Sequence, residues 1–317
     1  MHDSKNNFTK TVFIVFGVLT LLLGLFNFII DPYRLHKKRI PGINDQVCRG
    51  FFSYNSMDNL MQYYFSKYND EPNLILGTSH IIRGVPDCRF TDIFKMGISS
   101  MSIEEAALIL EKLLDKKKLP DNIYIELMAG ESISFQNGKP NRINDKISWY
   151  RRFIDIKTLR MTFSTIRNSI GLKTIICGVP DISDTFVDKV DGTEYVRRIQ
   201  EEEYLSWLSL IDKLNRKIGD HKVNITFFTS PLPYGAMSSV KAKGISRYNY
   251  MVINKVINAS KKYNNIMCNY IDLLNSSIGA DYIPGTTSFN QGWYDASHYK
   301  SKIGEKVVDT LLQVTQK

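Results

Sequence analysis

Residues 12–30 read VFIVFGVLTLLLGLFNFII, an apolar run without a charge. As a helix it spans about 28 Å, close to the roughly 30 Å hydrocarbon core of a bilayer. No polar stripe recurs along it, so it lacks the solvent-facing side that a soluble core helix needs. It ends in Phe28-Ile29-Ile30-Asp31-Pro32, without the small residues of a signal-peptidase site. The pattern predicts an uncleaved transmembrane anchor over 12–30, behind a short tail over 1–11. Residues 31–70 contain DPYRLHKKRIPGIND, whose prolines and lack of period predict a connecting arm.

From residue 71 onward, short apolar runs alternate with amphipathic stretches. Strands are predicted over 73–76, 93–96, 123–127, 223–229 and 267–272. Helices are predicted over 102–116, 194–216, 246–261 and 298–312. The first carries a Ser102/Glu105 capping box and an apolar face of Ile103, Ala107, Leu110 and Leu114. The second aligns Tyr204, Leu208, Ile211 and Leu214, the third Val252, Val256 and Ala259, and the last Ile303, Val307 and Leu311. This alternation implies a parallel sheet with helices on both faces, a three-layer α/β/α domain over 71–317. Residues 131–191 fit the alternation poorly and read as an insertion beside the site, of a kind that can serve as a lid.

Charge and composition narrow the partners. The formal charge is +9, and one basic cluster, Arg34, Lys37, Lys38 and Arg39, borders the apolar run. Its place favours anionic lipid headgroups over nucleic acid. Zinc-finger spacing, RNA-binding signatures and glycine-rich phosphate loops are absent from the sequence. Cys48, Cys88, Cys177 and Cys268 contain no C-x-x-C pair, which argues against structural zinc. Disulfides and buried free thiols both remain open for them. Glu104-Glu105 and Glu201-Glu202-Glu203 read as solvated helix faces rather than a glycosidase pair. No metal and no cofactor is expected.

The candidate chemistry lies in NLILGTSHIIRG, residues 73–84. Ser79 follows a strand directly, and sites in parallel sheets form at the carboxyl ends of strands. A serine hydroxyl needs a base within reach and a group that holds the base. Of the five histidines, His2 and His36 flank the apolar run and His221 precedes a strand. His80 and His298 remain. His298 lies in GWYDASHYKSKIG, three residues after Asp295 and just ahead of the last helix. Asp295 on one ring nitrogen would leave the other facing Ser79. The bland readings are specific too: Ser79 as a helix cap, Asp295 or Ser297 as a cap of the last helix, Trp293 as packing. His80 reads as a local hydrogen-bonder or a substrate contact, with its ring turned away from the nucleophile. Trp293 is the second candidate substrate contact.

A strand leading into G-T-S-H, with D-x-x-H far downstream before a final helix, resembles the SGNH (GDSL-like) hydrolase superfamily, a flavodoxin-like three-layer fold. The apolar run followed by D-P-Y and P-G-I-N is similar to its membrane-anchored bacterial branch. The resemblance covers about residues 12–50, 73–100 and 290–314. It implies Ser79 as nucleophile, His298 as base and Asp295 as its orienting acid. It also implies oxyanion donors from the backbone of Ser79 and of Gly97 in FKMGISS, though Gly97 also reads as a turn glycine. It further implies O-acylation or deacylation of cell-surface polysaccharide or glycolipid, beside a membrane-bound O-acyltransferase partner. The family's third block carries Gly-x-Asn-Asp. Here that place reads ELMAGES, and losing one oxyanion donor costs about 10²–10³ in rate. A non-catalytic scaffold or glycan-binding subunit is the alternative. Loop charge alone places the carboxyl side of the anchor in the cytoplasm, whereas the resemblance implies the extracytoplasmic face of a bacterial inner membrane.

Overall fold

The computed structural model describes residues 2–30, 71–85, 92–98, 101, 103–116, 119–127, 201–233, 244–278, 291–293 and 299–315, with helical positions 159, 160, 162, 163, 166 and 167. The arm over 31–70 and most of the insertion over 131–191 lie outside the described residues. The chain divides into two compact units, Met1–Lys67 with Asn144–Ile176, and Tyr68–Ile143 with Cys177–Lys317.

In the first unit, helix α1 (His2–Ile30) starts well before the apolar run. Its stretch Lys10–Ile30 is 21 residues long with a mean hydropathy of 2.6, long and apolar enough to cross a membrane. Phe13, Phe16 and Leu21 stand exposed along it, as lipid-facing side chains would. Asn27, by contrast, is completely buried. The Thr162 hydroxyl donates to its Oδ1 at 2.7 Å, and the Phe163 ring lies 6.1 Å from that of Phe26. A buried amide in an apolar helix needs such a partner, because its surroundings offer no other.

The second unit is built on five parallel strands: β1 (Asn73–Gly77), β2 (Ile93–Gly97), β3 (Asn122–Glu126), β4 (Val223–Thr229) and β5 (Ile266–Asp272). Their order is β2-β1-β3-β4-β5. All five fall within a residue or two of the predicted runs. β1, β2, β3 and β4 are largely buried, whereas β5, at the edge opposite β2, leaves Met267 and Tyr270 only partly covered. The helices are α2 (Ser79–Gly84), α3 (Ile103–Asp115), α4 (Glu201–Lys217), α5 (Ile245–Ser260) and α6 (Ser301–Thr315).

Alternation along the strands sends neighbouring residues to different packings. Ile75, Tyr124 and Phe228 join a cluster with Ile303, Val307 and Leu311 of α6. Phe227, the preceding residue of β4, packs edge-to-face with Trp207 on α4, the ring centroids 4.9 Å apart. Trp207 corrects the predicted α4 stripe. The buried residues are Trp207, Leu210, Ile211 and Leu214, with Tyr204 and Leu208 at the margin. The indole sets this face because its Nε1 donates to the Ile103 carbonyl at 2.8 Å, which ties α4 to the first turn of α3. Glu105 is a second correction. It is completely buried and not part of a solvated face.

At the amino ends of three strands an amide ladder holds the register. Asn122 donates to Asn73 at 3.0 Å and Asn224 donates to Asn122 at 2.9 Å. Adjacent strands are thereby pinned at one end, and their carboxyl ends reach the opposite edge in step. There the chain reverses its direction of travel across the sheet. From β1 it goes to β2 on one side and then to β3 on the other. Ligand sites in open α/β sheets form at such a switch point, outside the carboxyl ends of the strands.

Candidate active site

Ser79 is the first residue of α2 and is partly exposed at the carboxyl end of β1. Thr78 is the N-cap: its backbone is extended and its Oγ1 accepts the His80 N–H at 3.3 Å. Thus the capping role open to Ser79 in the sequence falls to Thr78. The Thr78 carbonyl takes the Ile82 N–H at 3.2 Å. At the other end of α2, Lys95 from β2 donates its ammonium to the Ile82 and Val85 carbonyls at 3.1 and 2.6 Å. A cation on those carbonyls satisfies acceptors that a helix terminus leaves over.

Beneath this turn lies a buried polar cluster. Glu126, the last residue of β3, is 1% exposed. Its Oε2 accepts the Thr78 N–H at 2.6 Å and the Thr78 hydroxyl at 2.9 Å. Its Oε1 accepts the Ser230 hydroxyl, just past β4, and lies 3.0 Å from His80 Nδ1. His80 Nδ1 is also 2.8 Å from Thr78 Oγ1. A carboxylate only accepts, so the tautomer that fits carries its proton on Nδ1. With a second proton on the ring, the contact becomes a buried ion pair. Burial alone would push the Glu126 carboxyl up. The His80 charge and hydrogen bond, with the Ser230 and Thr78 bonds, outweigh it and hold the carboxyl below its ordinary value.

Tyr299 closes the cluster. Its ring lies nearly parallel to that of His80, 6.1 Å away, and meets Trp293 edge-on at the same separation. Burial, followed by the Glu126 charge, raises its hydroxyl well above the usual tyrosine range. Trp293 and Tyr299 form a single antiparallel bridge, and the Lys300 N–H donates to the Gly292 carbonyl at 2.7 Å. Tyr299 also packs into α2. A Cβ on Gly84 would stand 2.0 Å from its ring, and one on Gly304 would stand 1.9 Å from the Gly84 carbonyl oxygen. Two glycines thus let α6 and Tyr299 reach the backbone of α2.

The predicted site residues fall as follows. Ser79 stands at the sheet edge where it was expected. Asp295 and His298 lie outside the described residues; Tyr299 packs against α2, and Trp293 packs against Tyr299. Gly97 ends β2 opposite Gly77, and its missing side chain admits Ile82, whose Cγ1 would be 2.1 Å from a Cβ there. His80 and Trp293 are buried, 4% and 1% exposed, within the polar cluster and the core. The His80 ring turns inward to Glu126. Cys268 is a buried free thiol, while the other three cysteines lie outside the described residues. Glu126, Ser230 and Thr78 were not anticipated. One signal was present: a glutamate ending a run as apolar as NIYIE is buried, and a buried carboxylate requires donors. Among the described residues, no cluster of three or more His, Cys, Asp or Glu could hold a metal ion. No protein-family model and no curated protein matches this sequence.

Proposed function

We propose that the protein is a membrane-anchored serine acyltransferase or esterase of the SGNH type, acting on acyl esters of cell-surface glycans, with its catalytic unit a three-layer α/β/α domain. Carrying this reading is one juxtaposition. Ser79 stands at the carboxyl end of β1, beside the switch point, and Tyr299, the residue bonded to His298, packs against the same short helix.

In this reading Ser79 Oγ attacks the acyl carbonyl while His298 takes its proton, and Asp295 holds the imidazolium that forms. The tetrahedral oxyanion is met by the backbone N–H groups of Ser79 and Gly97. Collapse expels the alcohol, which leaves with the proton from His298. A sugar hydroxyl or water then attacks the acyl-enzyme by the same steps and frees Ser79. The unit lies on the extracytoplasmic face, where soluble acyl-CoA is absent, so a membrane-bound O-acyltransferase partner supplies the acyl group.

The test uses the full chain in detergent, a fluorophosphonate probe and p-nitrophenyl acetate. Labelling should map to Ser79, and Ser79→Ala and His298→Ala should each abolish ester turnover while keeping the melting temperature. Unchanged turnover in either folded variant removes the triad. The stretch ELMAGES, without the family's asparagine, favours a second reading, a non-catalytic glycan-binding subunit. Absence of Ser79 labelling in the folded protein would select it.

A further inference from the structure

We infer that Glu126 is a positioning residue for the nucleophile: its buried carboxylate locks the peptide that leads into Ser79. The inference rests on the acyl-transfer reading of Ser79 and deepens it.

The geometry is specific to a carboxylate. Four donors converge on its two oxygens: the Thr78 N–H, the Thr78 hydroxyl, the His80 Nδ1–H and the Ser230 hydroxyl. An ionised carboxylate has about four lone-pair sites and no donor, so each partner is accommodated. A glutamine in the same place has one oxygen and would turn an NH₂ group toward donors. The site is closed to water, with Thr78, Glu126 and Ser230 at 2%, 1% and 0% exposure. Solvent therefore does not replace a lost bond there.

The consequence falls on Ser79. Thr78 is gripped through its N–H and hydroxyl by Glu126, and its carbonyl takes the Ile82 N–H. Neither peptide flanking Thr78 can rotate without breaking one of these bonds. The next N–H belongs to Ser79, and its direction is set by the Thr78–Ser79 peptide plane. That N–H is the oxyanion donor of the proposed reaction, and donors of this kind act because they are aimed beforehand. Glu126 does not touch the acyl group in this arrangement. It acts through Thr78. Gly77 matches this role, since a Cβ there would lie 2.7 Å from Glu126 Oε2.

The experiment compares wild type, Glu126→Gln and Thr78→Val as full chains in detergent. Hydrogen exchange over the peptide that contains residues 74–82 reads the turn directly. The kcat and KM for p-nitrophenyl acetate, and the rate of fluorophosphonate labelling, read its effect on Ser79. Glu126→Gln should speed exchange of that peptide, lower kcat and labelling at least tenfold, and leave KM within twofold. Thr78→Val, which removes the hydroxyl bond and keeps the N–H bond, should lower kcat severalfold. It also serves as the readout where Glu126→Gln does not fold. Wild-type exchange and wild-type kcat in a folded variant overturn the inference while Ser79 labelling stands. A wild type that is never labelled at Ser79, with faster exchange in Glu126→Gln, instead overturns the acyl-transfer reading and leaves Glu126 a purely structural role.

Discussion

Gly304→Ala tests whether the contact between α6 and α2 holds the site together. The added Cβ would stand 1.9 Å from the Gly84 carbonyl oxygen and 2.4 Å from its carbonyl carbon. Both are backbone atoms, so no side chain can rotate aside, and the helices must part by more than an ångström to reach ordinary contact. Overpacking of this kind costs about 1–3 kcal/mol. A domain of this size loses about 2–4 °C of melting temperature per kcal/mol, so a drop of about 2–12 °C is expected. The larger effect should be functional. Tyr299 lies between α6 and α2, and a misplacement near 1 Å costs about 10² in rate. Fluorophosphonate labelling and p-nitrophenyl acetate turnover of the full chain, beside a thermal melt, measure both. Gly17→Ala is the control, since nothing stands within 4 Å of a Cβ there. If Gly304→Ala melts and turns over as wild type does, the close approach does not position the site, and the reasoning fails.

Acid should weaken the protein through Glu126. Its folded carboxyl is held below the ordinary value of 4.5, so its contribution is complete above that pH and is lost as pH falls through the lower folded value. Melts from pH 7 to 3 should therefore fall more steeply for wild type than for Glu126→Gln, and parallel curves would count against an ionised carboxylate. Trp207→Phe keeps much of the ring volume but removes the indole bond to the Ile103 carbonyl, at a cost of about 0.5–1.5 kcal/mol by denaturant unfolding. Burial raises the Cys268 thiol to about 11. Iodoacetamide at pH 8 should leave it unmodified in the folded chain and modify it in denaturant, as read by peptide mass spectrometry. Asn27→Leu should loosen the packing of Thr162 and Phe163 on α1, seen as slower disulfide formation between cysteines placed at 26 and 163.

Much of this architecture is legible in local pattern. The α1 run, the five strands and the faces of α3 and α6 follow from whether each position recurs with period two, with period 3.6 or with none. Ser79 at a strand end was legible for the same reason, because a strand break is a local event. The Asp295/His298 segment was legible as a motif, but the packing of α6 and Tyr299 against α2 was not. That depends on Gly304 admitting the backbone of Gly84, 220 residues away, and on Gly84 admitting the Tyr299 ring.

Periodicity reports which side of an element avoids water, and nothing about which other element covers it. Glu105 read as solvated because a carboxylate on a helix usually is, and the packing of the domain buried it. Glu126 and His80 lie 46 positions apart and meet only because β3 pairs with β1 in register, which carries the end of one strand to the turn after the other. By itself the sequence determined the elements and the serine at their edge. The order of the strands decided what surrounds that serine. Hydrogen bonds between distant side chains exist only once backbone pairing has spent the conformational freedom that separates them.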